Sequence, residues 1–404
     1  MPYSGQLTID GGTAAPATVE LGDEALALAA NGSAITLAYV DIDELVDDDY
    51  TLRLRDYTGR RYELTMLGKA YGQILADLRL RRDERLGHDL LLTGVALQDT
   101  YPGKLFGGET PEPVELRLFE DLLVVVPERG TMWGLPFSFV EEVIWDEELY
   151  QVRVATDDGQ VYVFGHLAKR SEEFRDELLR LLAALERRTA ATLQALLPGA
   201  SPAAVSALAA VMRDGRAVQQ HVVDELAPGL WPSLEDAVVG PDLKESYEAL
   251  KAQSPAGWTA LGVKTVRASD AEAPGDVVLW FFCPLGRDGK PVNAVAHEIT
   301  SEQGHATYLY RPVEAERWPQ LADAEIADAV RAGVTRINRA ILTLNFRREP
   351  IYAPAEEIEN GRYSRYRVAL RKLDYLRFTR DALLGRAIHN ESWAKQVDDA
   401  VARA

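Results

Sequence analysis

The side chains best suited to covalent or metal chemistry are scarce in this chain of 404 residues, which has one cysteine and six histidines. Cys283, His297 and His305 lie close together in sequence. A thiol beside an imidazole makes an activated nucleophile, so these three are the weak catalytic candidates for a hydrolase or transferase with a site in residues 256–312. A plainer reading competes. Cys283 ends the most apolar run of the chain, Val277-Val278-Leu279-Trp280-Phe281-Phe282-Cys283-Pro284-Leu285, where a thiol is usually inert filler. His297 alternates with Val295 and Ile299 and therefore points into a core. His297-Glu298 followed by His305 lacks the one-turn spacing that sets two zinc ligands on one helix face. His88, His166, His221 and His389 are scattered. There is no serine elbow, paired-cysteine motif or dinucleotide fingerprint, and no metal or cofactor is expected.

Gly257-Trp258-Thr259-Ala260-Leu261-Gly262-Val263-Lys264-Thr265 comes near a phosphate-binding loop. That loop needs its lysine directly after the second glycine. Here Val263 intervenes, and the segment reads as a strand.

Charge offers two further candidates. Asp41, Asp43, Glu44, Asp47, Asp48 and Asp49 in one loop correspond to Glu141, Glu142, Asp146, Glu147 and Glu148 in another. Hard cations want several carboxylate oxygens, but no ligand ladder with a glycine at its bend is present. A solvated acidic edge is the alternative. In residues 362–380 the bases Arg362, Arg365, Arg367, Arg371, Lys372, Arg377 and Arg380 face the single acid Asp374. This segment has a net charge of +6 on a chain of −19, leaving −25 elsewhere. Tyr363, Tyr366, Tyr375 and Phe378 interleave with it. Arg362, Arg365, Arg371, Lys372, Arg377 and Arg380 are the candidate binding residues, either for nucleic acid or for an anionic membrane. The competing reading packs this helix against acidic parts of its own chain or a sister subunit. The acidic remainder would repel phosphate, so nucleic acid and membrane are disfavoured as partners.

The elements that must position these residues follow from periodicity. Short alternating runs at Gln6-Leu7-Thr8-Ile9, Thr18-Val19-Glu20-Leu21, residues 25–29 and 34–39, Tyr50-Thr51-Leu52-Arg53-Leu54 and Arg61-Tyr62-Glu63-Leu64-Thr65 predict strands, with Asn31-Gly32 and Tyr57-Thr58-Gly59-Arg60 as hairpin turns. Ile74, Leu75, Leu78 and Leu80 then predict a helix. Strands over 114–126, 132–140, 149–155 and 160–165 repeat the plan, with a helix carrying Phe174, Leu178, Leu181, Leu182 and Leu185. Residues 99–111, rich in glycine and proline, read as a linker. Residues 191–255 read as a helical spacer, with Ser201-Pro202 a start signal. Residues 256–312 predict a four-strand antiparallel meander with turns at Arg287-Asp288-Gly289-Lys290 and Glu302-Gln303-Gly304. Ile326, Val330, Val334, Ile337 and Ile341 mark a long helix, and residues 354–402 read as mostly helical.

The first half is written twice. Glu24-Ala25-Leu26-Ala27-Leu28 matches Asp121-Leu122-Leu123-Val124-Val125, and Asp43-Glu44-Leu45 matches Glu141-Glu142-Val143. Tyr50, Arg53, Gly59, Tyr62, Leu67 and Lys69 recur as Tyr150, Arg153, Gly159, Tyr162, Leu167 and Lys169. A strand meander closed by one helix resembles the pleckstrin-homology superfold, here as a tandem pair. The resemblance implies a binding platform for lipids, peptides or neighbouring domains, and the acidic loops argue against phosphoinositide headgroups, which need Lys and Arg donors.

The expected architecture is a multidomain α+β protein: pleckstrin-homology-like units at 1–98 and 112–190, a helical spacer at 191–255 and an α+β domain with a helical tail at 256–404. A single cysteine suits a reducing cytosol. No signal-peptide pattern opens the chain, and the nine-residue apolar run falls short of the roughly 20 residues a membrane helix needs, so a cytoplasmic location is expected. The expected role is a non-enzymatic, protein-binding adaptor or scaffold subunit of a larger assembly, whose partner is a basic protein surface or a second copy of itself.

Overall fold

Strict alternation builds the first sheet. Its strands are β1 (Tyr3–Ile9), β2 (Ala15–Leu21), β3 (Ala25–Ala30), β4 (Ser33–Ala38), β5 (Ile42–Asp48), β6 (Thr51–Asp56) and β7 (Arg61–Thr65). Val19, Leu26, Leu28, Leu52, Leu54, Tyr62 and Leu64 point inward and are buried, with polar residues or alanines between them. The spatial order is β4-β3-β2-β1-β7-β6-β5, antiparallel throughout. Helix α1 (Tyr71–Asp89) lays Ile74, Leu75 and Leu78 against this face. The computed structural model describes residues 2–92, 96–265, 277–287, 289–301 and 306–404. His305, Asp288 and the turn at 302–304 lie outside the described residues.

The second sheet repeats the first. Its strands are β8 (Leu97–Phe106), β9 (Glu112–Phe119), β10 (Leu122–Pro127), β11 (Trp133–Pro136), β12 (Val140–Asp146), β13 (Gln151–Thr156) and β14 (Val161–Gly165), in the order β11-β10-β9-β8-β14-β13-β12. Helix α2 (Ser171–Leu196) closes it with Phe174, Leu178, Leu181, Leu182 and Leu185. Even the irregularities match, with bulges between Ile42 and Glu44 and between Val140 and Glu142. This sheet begins earlier than its composition suggests, because most of β8 comes from the segment read as linker. Gly103, which looks like a loop residue, is a packing residue. A Cβ there would lie 2.4 Å from Leu167 Cδ2, and the equivalent Gly5 would place one 2.7 Å from Leu67 Cδ2.

The third region is an antiparallel sheet with helices on both faces. Its strands, in spatial order, are β15 (Val218–Gln219), β16 (Ala260–Thr265), β17 (Val277–Arg287), β18 (Lys290–Ile299), β19 (Ala306–Tyr310) and β20 (Leu383–Ile388). One face packs on the end of α2, on α3 (Pro202–Met212), α4 (Gln220–Leu226), α5 (Trp231–Val239) and α6 (Lys244–Lys251), and on a C-terminal helix. Residues 191–255 thus supply one layer of this sandwich and its first strand. The other face carries α7 (Asp323–Thr343), α8 (Glu349–Tyr352), α9 (Ala355–Glu359), α10 (Arg367–Lys372) and α11 (Asp374–Ala382). The C-terminal helix is α12 (Trp393–Val401). Burial on both faces explains the unbroken apolar run of β17: Trp280 and Phe282 enter one core, Phe281 and Cys283 the other. The strand β20 sits within a stretch that reads as helical. It is the sheet's last strand and borrows its register from β19. Among the described residues, no helix is long and apolar enough to cross a membrane.

Candidate functional site

Strand alternation decides the fate of the Cys-His candidates. Cys283 pairs with Ala296, and Phe282 with His297, across β17 and β18. Cys283 therefore points to the α5–α6 side and His297 to the α7 side, with the sheet between them. Burial pushes the Cys283 thiol up, toward the unreactive neutral form. His297 is fully buried, stacked on Phe282 at 4.6 Å between ring centres, and its Nδ1–H donates to Phe281 O at 3.1 Å. Burial drives its pKa down to about 3, so the ring stays neutral. The near-miss phosphate loop runs into β16, where a strand offers no helix N-terminus for a phosphate.

One buried polar group on the neighbouring face went unrecognised in sequence. Glu298 is fully buried and accepts from Thr307 Oγ1 at 2.8 Å. His389 Nε2 lies 2.8 Å from its Oε1 and 3.0 Å from its Oε2. The Trp393 indole N–H donates to Thr307 Oγ1 at 2.9 Å and stacks on His389. This network pins α12 to β18 and β19. Its only sequence signal is a carboxylate on an otherwise apolar strand, since His389 stands 91 positions away.

The basic segment turns inward along much of its length. Arg371 donates to Asp41 at 2.8 Å and lies over the Tyr57 ring at 4.1 Å. Lys372 pairs with Asp43, and burial pulls its ammonium pKa down against that carboxylate. Arg380 donates to the carbonyls of Pro350, Ile351 and Ala353. Arg377 pairs with Asp374. Arg362 and Arg365 sit against the rings of Tyr363 and Tyr366. The acidic segment expected as a loop is instead the start of β5 and the turn before it, and its Asp41 and Asp43 are the dock for α10. Among the described residues, no cluster of three or more His, Cys, Asp or Glu side chains is placed to hold a metal ion.

The second unit has a matching dock with its parts exchanged. Tyr57 N–H donates to Asp41 O, and Asp157 N–H to Phe139 O, so these pairs occupy equivalent places. Where the first unit puts an acid at 41 and an aromatic at 57, the second puts an aromatic at 139 and an acid at 157. Arg339 of α7 pairs with Asp157, donates to Asp158 at 2.6 Å and lies over Phe139 at 4.6 Å. Burial works against its charge, but the two carboxylates more than offset this and hold it protonated. The carbonyls at each bulge are also capped by an arginine. Arg82 of α1 donates to Ile42 O and Asp43 O at 3.0 and 3.2 Å. Arg213, just past α3, donates to Val140 O and Glu141 O.

Between these docks lies a cavity of about 340 Å³ where all three regions meet. His88 comes from the first unit, Asp121 and Phe139 from the second, and Lys264, Arg347, Arg365 and Tyr375 from the third. A cavity of this size at a domain junction fits a small molecule.

No family model and no curated protein matches the chain. Among solved structures, part of the chain is similar to the C-terminal domain of an unknown protein from Leishmania infantum, at 11% identity over 22% of this chain and 84% of that one, with a TM-score of 0.20. A likeness of that degree bears on neither fold nor function.

Proposed function

We propose that the protein is a non-enzymatic scaffold subunit that binds a basic surface of another protein. The reading rests on two equivalent turn tips. Tyr50 and Tyr150 stand 74% and 59% exposed between β5 and β6 and between β12 and β13. Asp47, Asp48 and Asp49 surround the first, and Asp146, Glu147 and Glu148 the second. A tyrosine face beside carboxylates accepts a lysine or arginine by cation–π and ionic attraction together. Arg53 and Arg153 brace equivalent acids, Asp48 and Asp146, at the two tips.

The strand order, ending in a helix, supports the finer reading that each unit is pleckstrin-homology-like. The inward ion pairs of Arg371 and Lys372 favour a protein partner over nucleic acid or an anionic membrane, because those cations are already neutralised. The test is cross-linking mass spectrometry on the protein isolated from its own cells. Cross-links to a lysine- and arginine-rich partner surface should concentrate at the two tips and disappear in a Tyr50→Ala, Tyr150→Ala, Glu148→Gln variant. Cross-links that spare the tips, or survive the variant, refute the reading.

A further inference from the structure

We propose that the junction cavity is a binding site for a small organic anion with a flat apolar body. This inference goes beyond the scaffold reading and does not depend on it. Two observations carry it.

The first is charge placement. Arg347 and Arg365 line the cavity and are exposed at its rim. Among the described residues, neither has a carboxylate partner, although the chain carries 63 acids against 44 lysines and arginines. Arg365 donates to the Tyr366 hydroxyl. Asp121 and Asp214 also line the cavity, but among the described residues neither pairs with these two guanidiniums, which can take a phosphate or carboxylate by forked hydrogen bonds. The second is wall chemistry. Phe139, Tyr366 and Tyr375 offer aromatic surface, with Leu342 and Leu373 beside them. A flat apolar body stacks there while its anionic group reaches the rim.

The test is isothermal titration of the full chain with AMP and with salicylate, which separate a phosphate source from a carboxylate source. Adenosine and inorganic phosphate are the controls. One of the two aromatic anions should bind with one-to-one stoichiometry, at least about tenfold tighter than either control. Arg347→Ala with Arg365→Ala should weaken it about tenfold or more, with an unchanged melting temperature showing that the fold survives. If neither anion saturates at up to about 10 mM, or if the double variant binds as well as the parent, the proposal is overturned.

Discussion

The two N-terminal units share a sheet order, a bulge and a closing helix, yet the third region holds each with a different set of side chains. In the first unit Asp41 supplies the charge and Tyr57 the ring. In the second Asp157 supplies the charge and Phe139 the ring. An arginine reads both docks, Arg371 in one case and Arg339 in the other. The bulge carbonyls show the same freedom. The first unit caps them with Arg82 of its own helix, while Leu182 stands near the corresponding place in α2 and Arg213 reaches in from beyond α3. What persists between the copies is a pocket of acid, aromatic ring and open carbonyls. The residue at each position is free to change so long as the set is complete.

The largest expected effect separates both units from the third region. His88 and His166 are exposed in the units, whereas His297 is buried and neutral with a pKa of about 3. An unfolded histidine titrates near about 6.5. Between those values the unfolded chain takes a proton that the folded chain refuses. The stability from His297 is therefore complete above about pH 6.5 and falls as the pH drops toward 3, by on the order of 4 kcal/mol in all. Urea unfolding at about pH 7, 5.5 and 4 should show this slope, and His297→Gln should flatten it.

The next contrast lies between the docks. The Arg339 and Asp157 side chains are 11% and 6% exposed, against 27% and 16% for Arg371 and Asp41. Arg339→Ala strands a buried carboxylate and should cost about 3 kcal/mol. Arg371→Ala, in a wetter dock, should cost about 1 kcal/mol. Equal losses in denaturant titration would show that the two docks are not differently buried. The glycines under the closing leucines should behave alike: Gly5→Ala and Gly103→Ala should each cost about 1–3 kcal/mol through overpacking, because each meets both a leucine tip and a backbone carbonyl. A tolerated Gly103→Ala would remove the packing role assigned to β8.

Much of the fold was legible because the repeat and the periodicities are local. Most strands of both units, the α2 stripe and the core of the third sheet follow from alternation and spacing, whereas β5 and β12 read as acidic loops and β9 and β10 as one strand. Three further features were not. The start of the second unit hid behind Pro102 and Gly103, although Tyr3-Ser4-Gly5-Gln6-Leu7 against Tyr101-Pro102-Gly103-Lys104-Leu105 carries the signal. The β20 strand has no run of β-branched residues, and its identity comes from its partner β19. The docks were invisible because Arg371 and Asp41 are 330 positions apart, and because acid and ring trade places between copies, which alignment by identity cannot register. The cavity likewise exists only where three distant segments meet.

The smallest expected effect is the most direct test. Asp41→Phe with Tyr57→Asp rebuilds the first dock in the layout of the second. Each single change should destabilise the chain, by removing the acid or the ring beneath Arg371. In a double-mutant cycle read by denaturant unfolding, the exchange should recover about 1 kcal/mol relative to the sum of the singles. A double variant no more stable than that sum would contradict the claim that the two units present one interchangeable dock.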